Sequence, residues 1–167
     1  MNKVFLSLGS NIGSRKNNLA KAIRMLQRLD NTIINSESSI YETTPLYNHN
    51  QDYFFNKVIQ IRTEFTPHEL LKEIKSIELS MGRDIINSHN NRRIIDIDIL
   101  VFENIKICSD SLVLPHPRIL DRQFVLEPWK EIAPEYIITG ENLSIKELYN
   151  KYLGNRFKNQ KVEIINN

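Results

Sequence analysis

The sequence predicts an α+β fold: an antiparallel sheet with helices packed on its faces. Three observations carry this. Apolar or alternating runs at residues 4–8, 32–41, 54–63 and 94–102 have strand character. Residues 19–29 and 66–81 carry apolar side chains at helical spacing. Strand and helix segments interleave with hairpin signals among them, which suits antiparallel pairing better than a doubly wound parallel sheet.

The bulk numbers fit one domain over residues 1–167. Hydrophobic residues make up 41% and charged residues 25%, ordinary for a globular chain, and the net charge of +2 argues against a nucleic-acid coat. A single cysteine, Cys108, excludes an internal disulfide, and a small core residue is its expected role. The apolar opening is too short for a signal-peptide core, and no stretch is long enough to span a membrane. The expected location is the cytoplasm, with no nucleic-acid or membrane partner.

Each element follows in order. Residues 4–8 read as a buried strand, and Gly9-Ser10-Asn11-Ile12-Gly13-Ser14 as a turn. That turn lacks the lysine of a phosphate-cradling P-loop, so a plain strand-to-helix connection is the stronger reading. Leu19, Ala22, Ile23, Leu26 and Leu29 mark an amphipathic helix. Residues 32–41 suit one strand, and residues 43–52 a polar loop. In the run 54–63, Phe54 and Asn56 share a face. Thr66-Pro67-His68-Glu69 is a capped helix start, and Gly82 its stop. Glu78 lies beside that helix's apolar stripe, where most glutamates are solvated. Residues 83–93 read either as a lid over a polyanion or as a surface loop. Residues 105–107 are expected to pair back as a hairpin strand. Pro115-His116-Pro117 holds His116 in an extended backbone. Asp121 is the expected cap of a helix ending before Pro128. Trp129 and Tyr136 are expected to pack, Ile145, Leu148, Tyr149, Tyr152 and Leu153 to form a last helix, and residues 155–167 to fray.

The run around Asp96 and Asp98 is the chemical anomaly. Alternation puts Ile95, Ile97, Ile99 and Val101 on one face, and Ile94, Asp96, Asp98, Leu100 and Phe102 on the other. Two carboxylates in such a strand need positive partners. They could bind Mg²⁺ and a polyphosphate, form an acid–base pair, or make a structural ion pair with Arg92 or Arg93. Hard oxygen donors without nearby His or Cys suit Mg²⁺ better than Zn²⁺. Arginines alongside suit phosphate, so the residues favour magnesium–nucleotide chemistry.

Here a resemblance enters. Arg93-Ile94-Ile95-Asp96-Ile97-Asp98, Leu114-Pro115-His116-Pro117-Arg118 and Arg122-Gln123-Phe124-Val125-Leu126-Glu127-Pro128 resemble the 6-hydroxymethyl-7,8-dihydropterin pyrophosphokinase family. Leu8-Gly9-Ser10-Asn11-Ile12-Gly13, Tyr41-Glu42-Thr43 and Pro45-Leu46 agree, and the resemblance runs over residues 3–150. It implies a ferredoxin-like single domain, usually monomeric, that moves the terminal pyrophosphate of ATP to the hydroxymethyl group of a reduced pterin in folate synthesis, releasing AMP. It implies Asp96 and Asp98 as ligands of two Mg²⁺ ions. Arg83, Arg93, His116 and Arg122 would meet ATP, with Glu78 and the Ile99 backbone at the nucleoside. Arg83, Arg93, Asp96, Asp98 and His116 would be the catalytic set. Thr43, Thr44, Leu46, Phe54, Asn56 and Phe124 would form the pterin pocket, Phe54 and Phe124 stacking on the ring.

This chain departs from the family pattern at several positions. Asn91-Arg92 stands where Gly-Pro is common, and Ile85 and Asn90 where an arginine and a tryptophan are common. Thr44 replaces a frequent Pro, Phe54 a frequent Tyr, and Pro117 a frequent aromatic. These changes imply an altered lid rather than lost chemistry. A non-catalytic relative, or another Mg²⁺-dependent nucleotide transferase, are the competing classes.

Overall fold

The computed structural model describes residues 1–46, 51–83, 92–157 and 160–165. Strand β1 (Asn2–Ser10) lies inside the sheet, antiparallel to both β4 (Phe54–Thr63) and β5 (Asp96–Phe102). Strand β2 (Thr32–Glu37) pairs with β4, as does β3 (Tyr41–Thr43). The order β5-β1-β4-β2 with helices α1 (Arg15–Gln27) and α2 (Pro67–Ser80) in the crossovers is the ferredoxin-like βαββαβ arrangement expected.

Helices cover both faces. Leu19, Ala22, Ile23 and Leu26 of α1 and Leu70, Ile74 and Ile77 of α2 pack on Leu6, Leu8, Ile59, Ile61, Ile97 and Ile99. On the other face, α3 (Gln123–Ile132) and α4 (Ile145–Tyr152) pack on Phe5, Val58, Leu100 and Val101. Trp129 is fully buried there, its ring 5.0 Å from Phe5 and 5.7 Å from Tyr136. Capping boxes start α2 (Thr66 with Glu69) and α4 (Ser144 with Glu147), satisfying backbone N–H groups that a first turn leaves open.

Several expectations are corrected. Leu6 opposes Ile99 while Phe5 opposes Val101, so Leu100 is an extra residue in β5. This bulge reverses the alternation beyond it. Val101 therefore joins Leu100 in the α3–α4 core, and Phe102 joins the isoleucines in the α1–α2 core. Residues 32–41 form two strands, not one. Residues 105–107 do not return to β5. The chain turns at Glu103 (φ 47°), and β6 (Ile107–Cys108) pairs with β7 (Val113–Leu114) instead. Cys108 is exposed rather than core.

Asp121 sits in a 3₁₀ turn (Ile119–Asp121), and the residue at the N-cap of α3 is Arg122. Pro128 lies inside α3. Burial of Val125, Leu126, Pro128 and Trp129 outweighs the one helical hydrogen bond proline forgoes. The tail is not simply frayed: β8 (Val162–Ile164) adds to β3.

Trp129→Ala should destabilise the fold by about 3–5 kcal/mol, the cost of emptying a packed aromatic site, read by denaturant unfolding.

Candidate active site

A cavity of about 320 Å³ opens where the C-terminal end of β1, the first residues of β5 and the N-terminus of α3 meet. Asp96 and Asp98 lie on its floor. Both point to one side of β5, before the bulge, so the alternation read from sequence holds for them.

Cations from separate elements meet each carboxylate. Arg83, just past α2, donates to Asp96 Oδ1 at 2.7 Å, and Arg93 Nη1 to Asp96 Oδ2 at 2.6 Å. Arg122 Nη1 donates to Asp98 Oδ2 at 2.8 Å, with His116 Nε2 at 3.9 Å from the same oxygen. Arg92 is not part of this cluster; it faces Asp52 at 3.5 Å on the surface. Burial raises the Asp98 carboxyl, but Arg122 and His116 outweigh it and hold it below the usual carboxylate range.

His116 is positioned through its backbone and its ring. Its N–H donates to Leu100 O at 2.8 Å, a carbonyl turned outward at the bulge. Its Nδ1 accepts from the Arg118 N–H at 3.1 Å, which leaves the Nε2 hydrogen facing Asp98. Burial pushes the imidazole below its usual value against the pull of Asp98, so the neutral form prevails near pH 7.

Glu78 has a different surrounding from the one expected. It is fully buried, and it accepts from the Ile97 N–H at 2.7 Å, from Lys75 at 2.8 Å and from Arg83. The solvated reading of Glu78 is therefore corrected: α2 turns it onto the open edge of β5, where a strand N–H lacks a partner strand. Burial raises its carboxyl above the usual value, against Lys75 and Arg83. Ile99 is also a core residue by its side chain, so only its backbone is left for a ligand at that edge.

The cavity's other wall carries the remaining expected residues. Thr43, Thr44, Leu46, Phe54, Asn56 and Phe124 all line it. Asn56 Nδ2 donates to Thr43 Oγ1 at 2.6 Å, fixing which end of the amide is the acceptor. Gly9 makes room for it: a Cβ there would stand 2.7 Å from Asn56 Oδ1. Arg93 lies over the Phe54 ring at 5.4 Å and Arg122 over Phe124 at 5.6 Å.

Of the expected residues, all but Glu78 and Ile99 line this one cavity. Residues 84–91, with Ile85, Asn90 and Asn91, lie outside the described residues, so the lid expectation is tested only at its ends. Sequence reasoning passed over Asn11, Lys75 and Gly9. Asn11 is buried and clamps Arg93 through two backbone contacts, Oδ1 accepting at 2.7 Å and N–H donating at 3.1 Å. It lies within the Leu8–Gly13 stretch that carries part of the resemblance, but no role is assigned to it there. Gly9 reads from the sequence as the start of a turn, but β1 runs on to Ser10, and a glycine inside a strand marks close approach; Lys75, three residues before Glu78, did carry a signal of pairing.

Could these residues hold a divalent cation? Among the described residues no group of three His, Cys, Asp or Glu side chains gathers. Two carboxylates alone suit Mg²⁺, which keeps waters and takes further oxygens from a substrate's phosphates. Arg93 Nε is buried without a hydrogen-bond partner, a donor available to such an oxygen.

Comparison with known proteins agrees with the geometry. The family model described as 7,8-dihydro-6-hydroxymethylpterin-pyrophosphokinase matches residues 5–134. A 2-amino-4-hydroxy-6-hydroxymethyldihydropteridine pyrophosphokinase of Methylorubrum extorquens is 40% identical over 86% of this chain and 90% of its own length. The Bacillus subtilis protein of that name is 37% identical over 80% of each chain. The folic acid synthesis protein FOL1 of Dictyostelium discoideum is 40% identical over 81% of this chain, which spans only 20% of that protein. A Plasmodium falciparum HPPK-DHPS structure with pteroate covers 95% of this chain at TM-score 0.76 and 19% identity, a likeness of fold, with this chain spanning 45% of it.

The His116 imidazole should titrate below its ordinary value of about 6.5. Asp98→Asn removes the charge that favours protonation, so the midpoint should fall further, as followed by NMR of the ring protons.

Proposed function

The chain belongs to the 7,8-dihydro-6-hydroxymethylpterin-pyrophosphokinase family, and on that footing we propose that its cavity carries out the family's reaction, pyrophosphate transfer from ATP to the hydroxymethyl group of the reduced pterin, with release of AMP. The observation that carries this is the Asp96–Asp98 pair, ringed by cations, on the same cavity floor as a wall built for a flat polar ring. An adventitious surface ion pair has no reason to share a cavity with Phe54, Asn56 and Phe124.

Each side has its own chemistry. Asn56 and Thr43 present a fixed amide and hydroxyl to the donor–acceptor edge of a pterin. Phe54 and Phe124 offer faces for stacking. Arg83, Arg93 and Arg122, now engaged with carboxylates, are the donors for phosphate oxygens. The exchange of partners costs little because each arginine keeps an ionised acceptor. Glu78 acts beneath the cavity: it orients Arg83 and holds the edge of β5, where the Ile99 backbone can meet a nucleoside base.

The pterin hydroxyl oxygen attacks the β-phosphorus in line. A new O–P bond forms as the bond to the α-phosphate oxygen breaks, and the electron pair leaves with AMP. Asp96 is the acceptor we assign to the hydroxyl proton. Asp96 and Asp98 would hold two Mg²⁺ ions, which supply Lewis-acid stabilisation of charge on the phosphate oxygens when bound. His116, neutral and with its Nε2 hydrogen facing inward, donates to a phosphate oxygen without adding a second full charge beside Arg122. Turnover as a monomer and a cytoplasmic location complete the reading. The monomer comes from the family resemblance and the location is the expectation drawn from the sequence; Cys108 is exposed, and among the described residues no helix is long and apolar enough to cross a membrane.

ATP with Mg²⁺ and 6-hydroxymethyl-7,8-dihydropterin should yield AMP; ADP as product, or no turnover with the pterin, refutes the assignment. Asp98→Asn should lower kcat by roughly 10²–10³, the scale of losing one preorganised electrostatic group, while the fold persists. Gly9→Ala should push Asn56 from its place and raise KM for the pterin more than KM for ATP, as initial-rate kinetics would resolve.

A further inference from the structure

Residues 160–165 lie beyond the stretch that the family model matches, yet they touch both sides of the pterin wall. Gln160 Oε1 accepts from the Gln123 N–H at 2.9 Å, and Gln160 Nε2 donates to Asp121 O at 3.0 Å. Gln123 opens α3, a helix whose N-cap residue, Arg122, gives it no side-chain cap. Gln160 therefore supplies from a distance the acceptor that a first helical turn needs. The next residue, Lys161, turns to the opposite wall. Its N–H donates to Thr44 Oγ1 at 3.1 Å, and its carbonyl accepts from the Thr44 N–H at 3.1 Å. Val162 then pairs with Thr43 as β8 begins.

Two adjacent residues thus join the helix start that carries Phe124 to the strand end that carries Thr43 and Thr44. The segment is itself anchored. Phe157 is buried in the α3–α4 core, and Arg156 pairs with Asp121 at 3.0 Å. A segment needed only to finish the sheet edge would pair with β3 and stop. Nothing in edge pairing calls for a glutamine clasping the start of α3.

We propose that the C-terminal segment is a strap that sets the width of the pterin pocket, with Gln160 as a positioning residue acting through Gln123 on Phe124, and Lys161 through its backbone on Thr44. The proposal rests on the pterin-pocket reading above. A stacked ring tolerates little change in the gap between its two faces, so loosening one wall by a fraction of an ångström weakens stacking and misaligns the hydroxymethyl group. On the phosphate side, Arg83 and Arg93 hold Asp96 from elements the strap does not touch, and Arg122, at the head of α3, is tied to Asp98 by its own ion pair. The strap therefore acts on the pterin far more than on the nucleotide.

The test uses the full chain with Gln160→Ala, Gln160→Glu and Lys161→Pro, which removes the N–H that Thr44 accepts. Calorimetry measures 6-hydroxymethylpterin binding with Mg²⁺ and a saturating non-hydrolysable ATP analogue, and analogue binding alone; thermal unfolding is read in parallel. Gln160→Ala and Lys161→Pro should each weaken pterin binding roughly tenfold and leave analogue binding within about twofold, as expected when positioning alone is lost. Gln160→Glu keeps the acceptor for the Gln123 N–H and should recover part of the loss. Unchanged pterin affinity in the variants overturns the strap. So does a loss of both ligands in step with a lowered Tm, which marks a merely structural segment. A wild-type chain that binds no pterin overturns instead the functional reading on which the strap rests.

Discussion

Two carboxylates side by side on a strand would repel each other and lose hydration if left alone. Asp96 and Asp98 avoid this because cations reach them from opposite directions. Arg83 comes from the end of α2, Arg93 from the start of β5, and Arg122 from the head of α3. The neutral pairing of charge is therefore a constraint on the whole topology. Helices on both faces of the sheet must end at the same corner for the pair to be tolerated. That corner is where the cavity opens, and the charges that settle the free protein are the ones a polyphosphate and its cations would use.

The edge position of β5 is the second constraint. An edge strand exposes N–H and C=O groups that invite pairing with another chain. Here Glu78 takes the Ile97 N–H, and the His116 N–H takes the Leu100 carbonyl at the bulge. The edge is blunted by groups that also serve the site: Glu78 holds Arg83, and the same bulge contact brings His116 to Asp98. Stability of the edge and geometry of the site are one set of contacts, so they cannot be tuned separately.

The wall proposed for the pterin is built more loosely from distant parts. Gly9 of β1 leaves space for Asn56 of β4, which fixes Thr43 of β3. Phe124 rides on α3. No single element positions this wall, which gives the C-terminal segment, in contact with both β3 and α3, its leverage.

The sequence by itself determined much of this. Period-two runs, two amphipathic helices, one of them with capping and stop signals, and the Asp-Ile-Asp pattern were enough for the fold class and the face carrying the carboxylates, while the expected cavity residues came from the family resemblance. Local rules suffice there because strand alternation and helix capping act over a few residues. Only the tertiary structure decided the rest. The bulge at Leu100 exchanged the faces of Val101 and Phe102, since register depends on the partner strand. Glu78 became buried because a distant strand edge offered it an N–H. Asn11 gained its role from Arg93, 82 residues away, and the tail became a strand because β3 had a free side. Each of these is a contact between residues far apart in the chain, and no local pattern encodes which distant group will be there to meet it.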